Sequence, residues 1–343
     1  MSTRAKARCV DASLASEGVM VFRLHTAMEH GLYPGRYITI EHPDTRGVRQ
    51  ERCYSIVRKP APGVIEIAVK RTGTGGVSDS LHESIEEGGL VSVTGLGGHI
   101  TVHAVQQFQQ VLMLAGGIGV TLPVALLREL AKLDQAGDFV PRVALYLCSR
   151  NLAAVPFLNE LLDLSLRTRW FTLQVFITRG GVQNRSPIFR PGRSAEDDLR
   201  EVGQPDAVVI CGSHGFASDM HQTARRVFSN HRLFVESFSV PAAQENIHIG
   251  ATDGQAAEKT SLTVRGLRFP SDPSKTVLEH LETNGISIRS QCRSGICGNC
   301  RIQILAGECT RKADFALSDT ERLNGYALAC CTYPKRGELS ITF

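Results

Sequence analysis

Short runs of β-branched and aromatic residues open the chain: Val19-Met-Val-Phe-Arg-Leu24, Tyr37-Ile-Thr-Ile40, Val64-Ile-Glu-Ile-Ala-Val69 and Leu90-Val-Ser-Val93. Pro34-Gly35, Pro43-Asp44, the stretch 60–63 and clustered glycines punctuate them. Evenly spaced short strands with turn signals predict an antiparallel barrel or sandwich over residues 1–105. From 106 to 240 the period changes. Strands at Val111–Ala115, Val143–Leu147, Phe171–Ile177 and Ala207–Cys211 alternate with helical patterns over Leu122–Leu133, Phe157–Leu166 and Ala217–Phe228. Such alternation predicts an α/β domain with a parallel sheet. Residues 241–258 are polar and turn-rich without periodicity, and read as a linker. The last segment, 259–343, predicts a strand over Ser261–Arg268 and a helix from Val277 to Thr283. A cysteine-rich loop, a strand over Arg301–Leu305 and a helix after Ser318-Asp-Thr-Glu321 follow, the tetrapeptide having the form of a capping box.

Composition narrows the class. An apolar content of 42% and a charged content of 21% fit ordinary cores and exclude a disordered or fibrous chain. A net charge of +4 lacks the concentrated basic face of a nucleic-acid binder. The longest uncharged apolar run, Val111–Leu127, is broken by three glycines and Pro123, so no membrane span is expected. Six of the 10 cysteines, at 292, 297, 300, 309, 330 and 331, crowd the C-terminal end. A disulfide scaffold would spread them; crowding points to a local metal site in a reducing, cytoplasmic setting.

The spacing Cys292-x4-Cys297-x2-Cys300, with Cys330 after 29 further residues, is that of a plant-type [2Fe–2S] cluster held by four thiolates. One loop supplies three sulfurs and a distant segment the fourth. Gly295 and Gly298 permit the tight turns and let amides point at sulfur. Structural zinc favours two Cys-x2-Cys pairs, and only one is present. Cys331 departs from the usual small neighbour, and Leu328-Ala-Cys-Cys-Thr-Tyr-Pro334 places the ligand at Cys330.

With these motifs in view, residues 259–343 resemble a plant-type ferredoxin domain, with its α+β β-grasp fold. The two upstream segments resemble the ferredoxin–NADP reductase superfamily, in the order found in phthalate dioxygenase and vanillate demethylase reductases. The resemblance implies a set of roles. Arg52-Cys53-Tyr54-Ser55 is similar to the family's Arg-x-Tyr-Ser: Arg52 on the flavin phosphate, Tyr54 along the flavin ring or ribityl chain, Ser55 near flavin N5. Val69-Lys70-Arg-Thr-Gly-Thr-Gly75-Gly76-Val77-Ser78 implies a phosphate site at a helix start, where free amides and the helix dipole face the anion. Gly97-Gly98-His99-Ile100 resembles the turn of FAD-binding relatives, and Ala115-Gly-Gly-Ile-Gly119 that of FMN enzymes; FAD is preferred, with FMN the alternative. Gly116, Gly117, Gly119 and Thr121 resemble the dinucleotide turn. Cys211-Gly212-Ser213 resembles Cys-Gly-Pro, and Phe234-Val-Glu236-Ser-Phe238 the terminal acid–aromatic motif. Cys211 and Glu236 would flank the nicotinamide, and Ser149 and Arg150 would read the ribose, with NADH or NADPH left open.

Together these modules imply an NAD(P)H-dependent flavin/iron–sulfur reductase serving a terminal oxygenase, expected to be of the Rieske non-haem iron type. A P450 or another acceptor is the alternative within that chemistry, and a non-catalytic redox or zinc-binding module the alternative outside it. Residues 259–343 hold 12 Lys+Arg against 8 Asp+Glu. A basic rim of Arg289, Arg293, Arg301, Lys335 and Arg336 could steer an acidic partner; ordinary solvated charge explains it equally.

Overall fold

The computed structural model describes residues 5–28, 30–180, 182, 186–238, 260–290, 293, 295, 298–312 and 314–343. The expected linker 241–258 and the expected ligands Cys292 and Cys297 lie outside them. The chain divides into two compact units, Met1–Phe238 and Ser239–Phe343.

Six strands begin the first unit: β1 (Ala5–Ser16), β2 (Val19–Thr26), β3 (Tyr37–Pro43), β4 (Arg49–Ala61), β5 (Val64–Lys70) and β6 (Leu90–Gly97). They close an antiparallel barrel in the order β1-β2-β5-β4-β3-β6, with helix α1 (Val77–Ser84) between β5 and β6. Phe22, Leu24, Ile38, Ile40, Ile56, Ile65 and Ile67 fill it and are essentially solvent-free. The hydrophobic pattern does not disclose β1 or β4. In β4 only Tyr54–Val57 is buried throughout, while Arg49, Glu51, Arg52 and Arg58 are exposed, so no alternation marks it. The β4–β5 turn needs glycine: at Gly63, φ is 70° and a Cβ would lie 2.8 Å from the Thr26 carbonyl oxygen.

After the short helix α2 (Val102–Gln106) comes an all-parallel sheet in the order β10-β9-β8-β7-β11-β12. Its strands are β7 (Gln110–Gly116), β8 (Arg142–Ser149), β9 (Phe171–Ile177), β10 (Phe189–Pro191), β11 (Ala207–Gly212) and β12 (Arg232–Ser237). The helices are α3 (Thr121–Gln135), α4 (Leu158–Arg167), α5 (Glu196–Arg200) and α6 (His214–Val227). The strand order reverses between β7 and β11. In open parallel sheets, a crevice for ligands forms at the carboxyl ends of the strands at such a switch point.

The second unit is a mixed sheet in the order β14-β13-β19-β15-β17 packed on helix α7 (Val277–Thr283). It comprises β13 (Ser261–Val264), β14 (Leu267–Pro270), β15 (Arg301–Ala306), β17 (Tyr326–Leu328) and β19 (Glu338–Thr342). β16 (Cys309–Arg311) and β18 (Thr332–Pro334) pair separately, and α8 (Asp319–Leu323) follows β16. This is the expected α+β architecture. The single strand expected over Ser261–Arg268 is a hairpin instead. Arg265 and Gly266 take φ of 51° and 78°, two successive left-handed residues that reverse the chain. The capping boxes form at Thr276–Glu279 and Ser318–Glu321. Among the described residues no helix is long and apolar enough to cross a membrane.

Asp79 organises the loop entering α1. Its carboxylate accepts from the amides of Thr72 (2.5 Å), Gly73 (3.0 Å) and Gly75 (2.7 Å) and from the Thr72 hydroxyl (2.9 Å). Burial works to raise its pKa, but these donors outweigh it and hold the carboxyl at about 2, below the ordinary 3.8. A depressed pKa contributes stability above about pH 4, and that contribution is lost as the pH falls through 2. Asp79→Asn keeps the shape and removes the charge, and should cost roughly 2 kcal/mol at neutral pH. In thermal melts, the gap between wild type and variant should close between pH 4 and pH 2; a pH-independent gap contradicts the assignment.

Candidate redox sites

The barrel's candidate residues sit where β4 meets α1. The Tyr54 hydroxyl lies 3.0 Å from Ser78 Oγ, joining two positions that are 24 residues apart. Burial raises the Tyr54 pKa, partly offset by that bond, so the phenol stays protonated. Gly76 precedes α1 in an extended conformation, and the first amides of the helix, those of Val77 and Ser78, have no intrahelical acceptor. Gly75 does not add to this set: its amide is taken by Asp79. Arg52 turns along its own strand, donating to Gln50 Oε1 (2.7 Å) and the Glu51 carbonyl (2.8 Å). No described contact brings it to Ser78. Val69 is buried inside the barrel. Ile100 faces inward, its carbonyl oxygen 2.2 Å from where a Gly35 Cβ would stand, and His99 is the exposed residue of that turn.

Lys70 stands at the end of β5. Its Nζ lies 3.9 Å from where a Gly117 Cβ would be, facing the turn after β7. Burial lowers its pKa, and the nearby positive charge of Arg150 lowers it further. Among the described residues neither cation has a carboxylate partner. Gly117 beside Lys70 takes a left-handed conformation, with φ of 54°. Ser149, by contrast, turns its hydroxyl to the Asn151 carbonyl (3.1 Å).

The switch point is built by close backbone approach. A Cβ on Gly119 would lie 2.1 Å from the Cys211 carbonyl oxygen, and Cβ atoms on Gly116 and Gly212 would strike the Phe216 ring at 2.8 and 2.6 Å. Sequence reading missed Phe216. Its signal is position, four residues after Gly212 in the first turn of a helix that Ser213 caps through the Phe216 amide. Thr121 is buried as the first residue of α3. Cys211 pairs in register with Glu236 across β11 and β12, and the Phe238 amide donates to the Gly212 carbonyl (3.1 Å). Burial, reinforced by Glu236, raises the Cys211 pKa well above the ordinary thiol value, so Cys211 is a neutral thiol. The Ser55 hydroxyl donates to Glu236 Oε1 at 2.8 Å, a buried bond joining barrel and sheet.

In the second unit, Cys300 and Cys330 are buried, and the Ala329 amide donates to the Cys300 carbonyl (2.8 Å), drawing their segments together. Gly295 and Gly298 both take the left-handed conformation expected of a loop wrapping a small cluster. Cys331 is buried beside Cys330, with sulfurs 3.7 Å apart. Much of the expected basic rim is neutralised locally. Arg293 pairs with Glu282, Arg301 with Glu321 (2.9 Å) and Lys335 with Glu308 (3.5 Å); of the five rim residues, Arg289 and Arg336 make no ion pair among the described residues.

Residues 6–102 match the oxidoreductase FAD-binding domain family, and residues 262–335 the 2Fe-2S iron-sulfur cluster binding domain family. The chain is 27% identical over 319 residues to the glycine betaine monooxygenase reductase subunit of Chromohalobacter salexigens, covering 88% of this chain and 85% of that protein. It is 27% identical to the NADH oxidoreductase HCR of Escherichia coli K12, over 89% of this chain and 88% of that one. Phthalate dioxygenase reductase has the same fold, with a TM-score of 0.59 and 21% identity, covering 99% of this chain and 98% of that chain. The flavin is therefore FAD, and the cluster is [2Fe–2S]. The donor set suits both: unpaired amides and the Tyr54–Ser78 pair at α1 for the flavin, buried thiols with left-handed glycines for the cluster.

Two outcomes test these placements. Cys330→Ala should abolish the electron paramagnetic resonance signal of the cluster while Cys331→Ala keeps it; the reverse result moves the ligand by one residue. Lys70→Met should weaken nicotinamide dinucleotide binding roughly tenfold, or about 1.4 kcal/mol, with flavin content unchanged. Calorimetric titration checks this, and equal affinity removes Lys70 from the site.

Proposed function

We infer that this chain, which belongs with the three-domain flavin and iron–sulfur reductases of the ferredoxin–NADP reductase superfamily, is the reductase component of a two-component oxygenase. It takes electrons from a reduced nicotinamide dinucleotide and passes them, by way of FAD and a [2Fe–2S] cluster, to a terminal oxygenase of the Rieske non-haem iron class. We assign the flavin module to 1–105, the dinucleotide module to 106–240, a linker to 241–258 and the cluster module to 259–343, working in the cytoplasm. The observation that carries this reading is the Ser55–Glu236 bond, which brings the barrel strand of the flavin motif to the switch-point crevice. When bound, a flavin takes up a hydride and releases electrons singly, the exchange that a nicotinamide and a cluster cannot make directly.

The chain's own residues do the rest. Tyr54, Val77 and Ser78 bind the flavin from the α1 side, and Arg52 is the further candidate for its phosphate. Lys70 and Arg150 neutralise the dinucleotide's phosphates, and Gly116, Gly117 and Gly119 leave room for its backbone. Phe216 seals the glycine turn from below, and Cys211 supplies a neutral floor that adds no charge beside the nicotinamide. Ser55 Oγ donates its one proton to Glu236 Oε1, so the hydroxyl is held in a fixed orientation and its oxygen is left to act as an acceptor. Cys292, Cys297, Cys300 and Cys330 hold the cluster.

Cys300→Ser in the full chain tests the order of electron flow. The variant should keep its flavin and still reduce ferricyanide with NADH, while cytochrome c reduction and turnover with an oxygenase fall to background. A variant that lacks the cluster signal yet drives the acceptor at the wild-type rate overturns the scheme.

A further inference from the structure

The pairing of β4 with β5 is interrupted between Ile56 and Arg58, so Val57 is a bulged residue. A bulge leaves its residue outside the ladder. The Val57 carbonyl is taken up from the other side of the interface: Arg128 Nη1, on α3, donates to it at 3.1 Å. Val57 lies two residues after Ser55, so the short segment that carries the Glu236 bond is held at both ends by the dinucleotide domain.

Arg128 is itself held on every side. Its Nε and Nη2 donate to the two carboxylate oxygens of Glu160, each at 2.7 Å, and its guanidinium stands 5.1 Å from the centre of the Phe157 ring. A bidentate pair constrains a guanidinium in plane and in rotation. Phe157 has φ of 60°, a left-handed conformation that a bulky residue keeps only where its surroundings over-determine it. Phe157 and Ile118 both pack against the cluster of Val19, Val57 and Ala68, so barrel surface and dinucleotide turn meet at one apolar patch. The Glu17 amide adds a bond to the Ala153 carbonyl at 3.0 Å.

We propose that Arg128 is a positioning residue for hydride transfer: through the Val57 bulge it sets how β4, and Ser55 with it, stands against the dinucleotide crevice. The proposal rests on the reductase reading above. Hydride transfer is steep in geometry, and a displacement of about 1 Å far from the reacting atoms can cost about 100-fold in rate. Arg128 touches neither cofactor site, so its loss should act on the transfer step and not on affinity. Lysine is no substitute, because it lacks the planar fork that grips Glu160 and Val57 at once.

Anaerobic stopped-flow bleaching of the flavin by NADH decides it, with Arg128→Ala, Arg128→Lys and Glu160→Gln compared with wild type. In Arg128→Ala the bleaching rate at saturating NADH should fall by about 100-fold. The NADH dissociation constant, FAD content and cluster signal should hold, and the isotope effect with 4-deuterated NADH should become steeply temperature-dependent. Arg128→Lys should resemble Arg128→Ala, and Glu160→Gln should move the same way by less. Hydrogen exchange, read without any substrate, should quicken at residues 55–58 and 157–161. A wild-type rate with a wild-type isotope effect in Arg128→Ala overturns the proposal. Should Arg128→Ala fail to retain FAD, an unchanged rate and unchanged exchange in Glu160→Gln overturn it equally. Wild-type protein that neither NADH nor NADPH can bleach would instead sink the parent reading.

Discussion

A hydroxyl and a carboxylate from positions 181 residues apart meet in the interior at 2.8 Å, and the architecture of the first unit is arranged around that meeting. A carboxylate with so little exposure is costly unless its oxygens are bonded, so Glu236 must find donors where β12 ends. It can find Ser55 only if the barrel closes with β4 facing the sheet and the sheet's order reverses beside β11. Barrel closure and the strand order at the switch point bring those two atoms together.

The crevice owes its shape to what is missing from it. At Gly116, Gly119 and Gly212 any side chain would strike backbone or the Phe216 ring, so α3 and α6 can begin hard against the strand ends. Phe216 fills the space below the glycines, while the side above Gly117 stays open to Lys70. Cations line the open side and a neutral thiol the floor, a polarity that suits an anionic chain ending in an uncharged reactive ring.

The cluster module was legible because cysteine spacing records a local wrapping geometry, and the α/β half because buried parallel strands read as continuous apolar runs. β1 and β4 were not, since strands with charged outer halves lose the alternation that betrays a strand. Nor was the hairpin at Arg265-Gly266, where a non-glycine residue takes the left-handed conformation. Lys70 was visible as part of a motif, but its direction across the interface is a tertiary fact. The same holds for Arg128, which on sequence is one more basic residue on an amphipathic helix. Arg52 shows the converse: a motif match names a residue, whereas its neighbours Gln50 and Glu51 decide where the guanidinium rests.

The raised pKa of Cys211 has a consequence for how long such a protein lasts in air. Burial also lifts Cys9 and Cys148, so three thiols of the first unit are held in the protonated form. Oxidants attack the thiolate, and a thiol kept neutral climbs the ladder from sulfenic to sulfonic acid slowly. A protein that handles low-potential electrons beside dissolved oxygen is exposed to peroxide at its own surface. Burying these three sulfurs therefore slows their own oxidation, whatever antioxidant the surrounding solution holds.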